Sequence, residues 1–139
     1  MATSSPAAAR AFADGMFAVV DRLDADAFAE YYAPDAVLRF GNAEPVHGRE
    51  EIRRTYAEFF ATLDGLRHDM QHFFHQDDTH LAEALVTYTR RDGSLVTVPA
   101  ISVFHTREDG LIDSYRIYVD LAPLYALALR AYSSLSSRL

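Results

Sequence analysis

The chain contains no cysteine and no tryptophan in 139 residues. The first absence excludes disulfides, thiolate metal sites and cysteine nucleophiles. Basic residues are in deficit: 13 Lys and Arg stand against 20 Asp and Glu, for a net charge of −7. Nucleic acid requires a basic patch, and an anionic membrane surface repels such a chain, so neither is an expected partner. No apolar run approaches the ~20 residues needed to cross a bilayer. Met1 to Arg10 lack a long apolar core and soon meet Asp14, so no secretory signal is expected and the cytoplasm is the default location. Apolar bulk, by contrast, is plentiful. Half of the residues are hydrophobic, with eight Tyr and nine Phe. This length predicts one domain over 1–139, with 133–139 as a polar, frayed tail.

Ser5-Pro6 predicts a helix start, Ser as N-cap and Pro at the first helical position. Phe12, Met16, Val19 and Leu23 then recur at helical spacing. Asp24 is expected to cap a second short helix that shows Phe28, Tyr31 and Tyr32 on one side and stops before Pro34. Ala36 to Phe40 reads as a strand, and Val46-His47 as a brief extended piece. A third helix is predicted from Arg49, with Ile52, Tyr56, Phe59, Phe60 and Leu63 as its stripe and Gly65 as its end. The period then changes. Leu66 to Gln76, Leu81 to Arg91, Leu95 to Thr106 and Leu111 to Asp120 read as four strands joined by short turns, hence antiparallel. Pro99, inside the third of them, is expected to mark a bulge or an edge. Leu121 to Tyr132 reads as a final helix. Helices early and strands late predict an α+β fold: a curved antiparallel sheet wrapped around three N-terminal helices as a cone with an internal pocket.

The stretch from Asp109 to Asp120 holds the most chemistry. Alternation along a strand puts Tyr115, Ile117 and Val119 on one face and Arg116, Tyr118 and Asp120 on the other. Buried charge is costly unless paired or used, so the second face is the expected place for catalysis. Arg116 and Asp120 lie ~13 Å apart on a strand and each needs a separate partner. Glu83 is one partner open to Arg116. Asp120 is also a favoured N-cap for the helix that follows, and both of its roles stay open at this point.

His68, His72 and His75 form an imidazole-rich segment. On a helix His68 and His72 could share a metal, but on a strand they stand ~13 Å apart and cannot, so no metal is expected. Unbroken alternation puts His68, Met70, His72 and Phe74 on one face, without saying which face points inward. One of His68 or His72 is expected in the pocket, where imidazole titrates near neutrality. His75 and His80 are expected as surface turn residues, and His105 as a surface residue near its turn. Tyr32, Phe40 and Tyr56 are candidates for the pocket wall, and Tyr118 for a phenol that meets an enolate.

Three segments carry a family resemblance: Phe28-Ala-Glu-Tyr-Tyr-Ala-Pro-Asp-Ala36, Gly48-Arg-Glu-Glu-Ile52, and Asp109-Gly-Leu-Ile112 followed by Arg116-Ile-Tyr-Val-Asp120 and Leu121-Ala-Pro. With the order of elements over about 12–129, the chain resembles the nuclear transport factor 2-like superfamily, and within it the SnoaL-like group that includes polyketide cyclases. The resemblance implies the cone fold. It also implies an acid/base Asp at the end of the last strand, which here is Asp120. Limonene epoxide hydrolases of this superfamily use Asp-Arg-Asp with Arg two residues from one Asp; Arg116 stands four before Asp120, which departs from that pattern. Scytalone dehydratases use two His and a carboxylate, for which His68, His72 and Asp120 are the available set.

The sequence thus predicts a cofactor-independent cyclase or isomerase acting on a hydrophobic or polycyclic carbonyl compound. Asp120 and His68 would be catalytic, and Arg116, Tyr118, His72, Tyr32, Phe40 and Tyr56 would bind substrate. Two alternatives share the fold: a non-catalytic ligand-binding protein and a dimerisation module. A homodimer is expected, with Ile117 and Val119 on an apolar outer sheet face.

Overall fold

Helix α1 (Pro6–Asp21) begins as its sequence dictates: Ser5 Oγ accepts the Ala8 N–H at 3.1 Å, and Pro6 opens the first turn. The computed structural model describes residues 5–125. The tail at 133–139 and most of the helix expected over 121–132 lie outside these residues. Ala9, Ala13, Met16, Phe17 and Val20 form the buried stripe of α1. Asp24 caps α2 (Ala25–Ala29) by accepting the Ala27 N–H at 3.0 Å.

Helix α2 is shorter than its apolar pattern suggests. The Tyr31 carbonyl accepts the Ile112 N–H at 2.8 Å, and Tyr32 already pairs with Ile112 in the sheet. Tyr32 therefore opens strand β1 (Tyr32–Phe40), and Pro34 falls in the irregular stretch between Tyr32 and Val37, where the ladder is interrupted. Strand β2 (Val46–His47) precedes α3 (Arg49–Phe60).

Four strands follow: β3 (Leu63–Gln76), β4 (Thr79–Arg90), β5 (Leu95–Thr106) and β6 (Ile112–Val119). The four-residue α4 (Ala122–Tyr125) completes the described chain. Gly65 does not end α3. It lies in β3 opposite Thr89, and a Cβ there would come within 3.0 Å of Thr89 Oγ1. The glycine serves a tight cross-strand contact rather than a helix stop.

The six strands form one open sheet in the order β2-β1-β6-β5-β4-β3. Its pairings are antiparallel except β1 with β6, which run parallel. Register shifts in β3, β1 and β6 curl the sheet around the helices. Pro99 makes no bulge. It pairs in regular register with Leu85 of β4, and the β6 pairing begins one residue later at Ala100, so its missing N–H costs no β6 partner. The helices cover the concave face, and the core lies between them and the inward residues of the strands. Among the described residues, no helix is long and apolar enough to cross a membrane.

Candidate active site

The sheet is hollow at its centre because its inward side chains there are small. Ala84 of β4 stands opposite Ala100 of β5, and Ala82 opposite Ser102. Aromatic side chains surround this floor: Phe28 from α2, Tyr56 and Phe59 from α3, Phe40 from β1, Tyr88 from β4 and Tyr115 from β6. The resulting cavity leaves about 30 Å3 of room for the centre of a water molecule. A water needs ~10–15 Å3 by that measure, so the enclosed space is that of a few small atoms rather than a ring system.

One titratable group with a positioned carboxylate behind it lines this cavity. His68, on β3 opposite Val86, stacks on Phe17 of α1 with ring centroids 4.7 Å apart. Its Nδ1 lies 2.6 Å from Asp21 Oδ1, and its backbone N–H donates to Asp21 Oδ2 at 3.0 Å. The carboxylate thus grips one residue twice. It fixes the tautomer with the proton on Nδ1, and it leaves Nε2 as the ring nitrogen available to a ligand. Asp21 is the last residue of α1, where the helix dipole disfavours negative charge. An acid in that position signals a task outside its own helix, and that is the clue in the sequence that could have found it.

Three buried phenols share the cavity. Burial pushes the Tyr56 hydroxyl well above the ordinary phenol range, and the nearby Tyr115 and Tyr88 add to the shift. Burial likewise raises Tyr88 and Tyr115, the latter against a hydrogen bond from Ser102. All three are therefore neutral hydrogen-bond donors at any working pH.

The sheet turns the expected faces around. Tyr115 is buried, stacked on Phe104 at 5.3 Å, and Ile117 lines the cavity, so the inward face of β6 is the apolar one. Arg116 and Tyr118 point outward and are exposed; packing the inward face against the helices leaves charge in water. Asp120 lies beyond the end of β6, exposed, where its Oδ1 accepts the Ala122 N–H at 3.0 Å at the start of α4. That contact is a turn two residues long leading into α4. Glu83 does not reach Arg116; its Oε1 lies 2.8 Å from His72 Nδ1.

His72 leaves the pocket for a local reason. Met70 pairs with Ala84 and His72 with Glu83, so Gln71 is an extra residue, a bulge that switches the facing of all that follows. His68 points inward, while His72 and Phe74 are exposed on the outer face. Tyr32 is fully buried against Phe28 and lines no part of the cavity. Phe40 and Tyr56 do line it.

His80 is not a surface residue: it is buried, stacked on Phe104 at 4.9 Å, with Nε2 3.0 Å from Thr106 Oγ1. His75 stacks beside it, with a buried Nδ1. His105 is partly exposed near its turn, 2.7 Å from Asp113. The outer face has apolar exposure, but at Phe74, Leu85, Ile101 and Tyr118 rather than at Ile117 and Val119. The site residues that the strand alternation missed are Asp21, Tyr88, Ser102 and Tyr115.

Comparison with known proteins agrees with this architecture. The SnoaL-like domain family matches residues 9–115. No curated protein matches the chain. Among solved structures, the chain is similar to SalBIII, described as an epoxide hydrolase/cyclase-like enzyme in pyran ring formation in the polyether salinomycin. That likeness has 19% identity and a TM-score of 0.71, covering 81% of this chain and 90% of that one. A hypothetical protein with a ketosteroid isomerase-like fold from Catenulispora acidiphila, solved with trimethylamine, is 18% identical with a TM-score of 0.74, covering 86% and 89%. An NTF2-like protein of unknown function from Burkholderia pseudomallei is 14% identical with a TM-score of 0.75, covering 86% and 96%. At these identities the likeness is one of fold. The match over most of its length places the chain in the SnoaL-like domain family.

Proposed function

We propose that the protein is an acid–base enzyme of the cyclase or isomerase type that acts on a hydrophobic carbonyl compound without a cofactor. The observation that carries this reading is the His68–Asp21 pair at an aromatic cavity. His68 Nε2 takes a proton from the carbon next to the carbonyl, and Asp21 steadies the imidazolium that forms. The C–H electron pair becomes the C=C bond of an enolate, and the carbonyl π pair moves to its oxygen. A neutral phenol, Tyr115 or Tyr56, donates a hydrogen bond to that developing oxyanion. In isomerisation the enolate takes that proton back from His68 at a different carbon and the carbonyl re-forms. In ring closure the enolate carbon attacks a second carbonyl carbon of the same molecule, the π pair of that C=O moves to its oxygen, and the alkoxide takes the proton from His68. The likeness to SalBIII favours ring closure as the outcome.

A larger substrate requires this cavity to widen. Phe40 and Phe59 are only partly buried, and they are the rings whose outward rotation enlarges it for a larger substrate. A polycyclic ligand fits only with those rings displaced.

The outer face of β3 to β5, with Phe74, Leu85 and Ile101 exposed, supports a homodimer through that part of the sheet, leaving β1 and the outer face of β6 uncovered.

Proton exchange tests the reading without knowledge of the substrate. The protein is incubated in D2O with a panel of small hydrophobic ketones and enones, and loss of the α-proton signal is followed by NMR. At least one member should exchange faster than in buffer, and His68→Gln should reduce that rate roughly 100-fold or more. Compounds that bind without any enhanced exchange would move the weight to a ligand-binding protein.

A further inference from the structure

Two arginines stand side by side on the outer face of the sheet. Arg39 of β1 and Arg116 of β6 are Cα partners in the parallel pairing, and both are exposed. Like charges directly opposite one another destabilise a strand pair. The chain has 20 acidic residues, yet among the described residues the ion pairs of its arginines involve neither of these two. Residues 126–139 contain no Asp or Glu that could serve them. The carboxylates nearest to Arg116 in sequence, Asp113 and Asp120, are engaged with His105 and with the Ala122 N–H.

The two side chains share a groove of about 380 Å3 with Asn42 and Tyr118. Arg39 is oriented in it: its Nε donates to the Ala43 carbonyl at 3.2 Å, which leaves the fork of its two terminal nitrogens for an outside acceptor. The turn that carries Asn42 is held against β6, because Gly41, at φ +58°, donates its N–H to the Ile117 carbonyl at 2.9 Å. Tyr118 adds an exposed phenol on the same face as Arg116. Two planar guanidinium forks, a phenol and an amide make a donor-rich site with no acceptor of its own charge.

We infer that this groove binds an oxyanion, the phosphate or carboxylate group of a small molecule, between Arg39 and Arg116. The site is independent of the acid–base reading of His68. Ile117 belongs to both linings, but the groove opens on the outer face of the sheet and the cavity on the inner one. The overall charge of −7 repels anions at a distance, so binding rests on this local pair.

The test uses the full chain labelled with 15N and follows the Nε–Hε signals of the arginines. Sodium phosphate is titrated in, then sodium acetate in a separate series, with sodium chloride keeping ionic strength constant. Saturable shifts at Arg39 and Arg116 are expected with at least one of the two anions, and the anion that saturates them identifies the group bound. Arg39→Gln and Arg116→Gln, both at exposed positions, should each weaken that binding tenfold or more while the thermal midpoint stays within a few degrees. Shifts that fail to saturate, or equal affinity in the variants, would overturn the site. Sedimentation of Arg116→Gln supplies a second arm. If the parent binds neither anion and this substitution turns a dimer into a monomer, a carboxylate of a second copy is the occupant and the proposal fails.

Discussion

Asp21 holds His68 with both carboxylate oxygens: Oδ1 lies 2.6 Å from the ring Nδ1, and Oδ2 accepts the backbone N–H at 3.0 Å. The two residues are 47 apart in sequence and join the end of α1 to the middle of β3. The first contact orients a ring, and the second ties a helix to a strand. Chemistry and stability therefore meet in one carboxylate.

Removing that carboxylate separates the two roles. Asp21→Ala should cost about 1.5–3 kcal/mol in urea unfolding, the usual worth of hydrogen bonds to a charged group. Asp21→Asn can still accept the His68 N–H, so it should cost less. Because the amide no longer steadies an imidazolium, Asn should still lose proton-exchange activity by about tenfold or more. An Asn variant with parental exchange would show that Asp21 is structural only.

Asp120 should tolerate the same substitution. Asn and Asp cap helices about equally well, and the carboxylate at this position contacts the Ala122 N–H in solvent. Exchange activity of Asp120→Asn is expected within a few-fold of the parent. A loss of roughly 100-fold would return the catalytic role to Asp120.

His80 predicts a pH dependence of stability. Burial lowers its pKa, and the neighbouring His75 lowers it further. Below the unfolded value of about 6.5, the unfolded chain takes up this proton more readily than the folded one. Stability therefore rises with pH through that window, is complete above it, and falls as the pH drops below about 6.5. His80→Phe keeps an aromatic ring on Phe104 without a titrating group. Its urea midpoint should decline less between about pH 6.5 and pH 5 than that of the parent. Parallel declines would assign the dependence to other groups.

The outer sheet face gives a prediction about assembly. Ile101 lies in its middle, opposite Glu83 on one side and Tyr118 on the other. Sedimentation equilibrium at micromolar concentration should show a dimer for the parent and a monomer for Ile101→Glu, whose charge would be buried in the interface. A monomeric parent would remove the case for this interface.

Much of the architecture is legible in the chain before any coordinates. Ser5-Pro6 and Asp24 start their helices because capping is local chemistry, decided within three or four residues. The four long strands follow from period-2 patterning between Asp- and Gly-rich turns. The spacing of His68 and His72 on a strand is equally local. What local pattern does not contain is which face of a strand turns inward. Alternation assigns Tyr115 and Arg116 to opposite faces without saying which is buried. The packing of β6 against the helices chooses Tyr115, since burying Arg116 without a carboxylate would be costly.

One extra residue in β3, Gln71, separates His68 from His72 and sends them to opposite sides of the sheet. A bulge changes facing without changing composition, so alternation carried across it misplaces every residue beyond. The extent of α2 was decided in the same way, by the parallel pairing of Tyr32 with Ile112, a contact eighty residues away along the chain. The sequence by itself determined the elements and their order, because those rest on contacts between near neighbours. Only the tertiary structure decided the site, because Asp21, His68 and the cavity meet through the curl of the sheet onto α1.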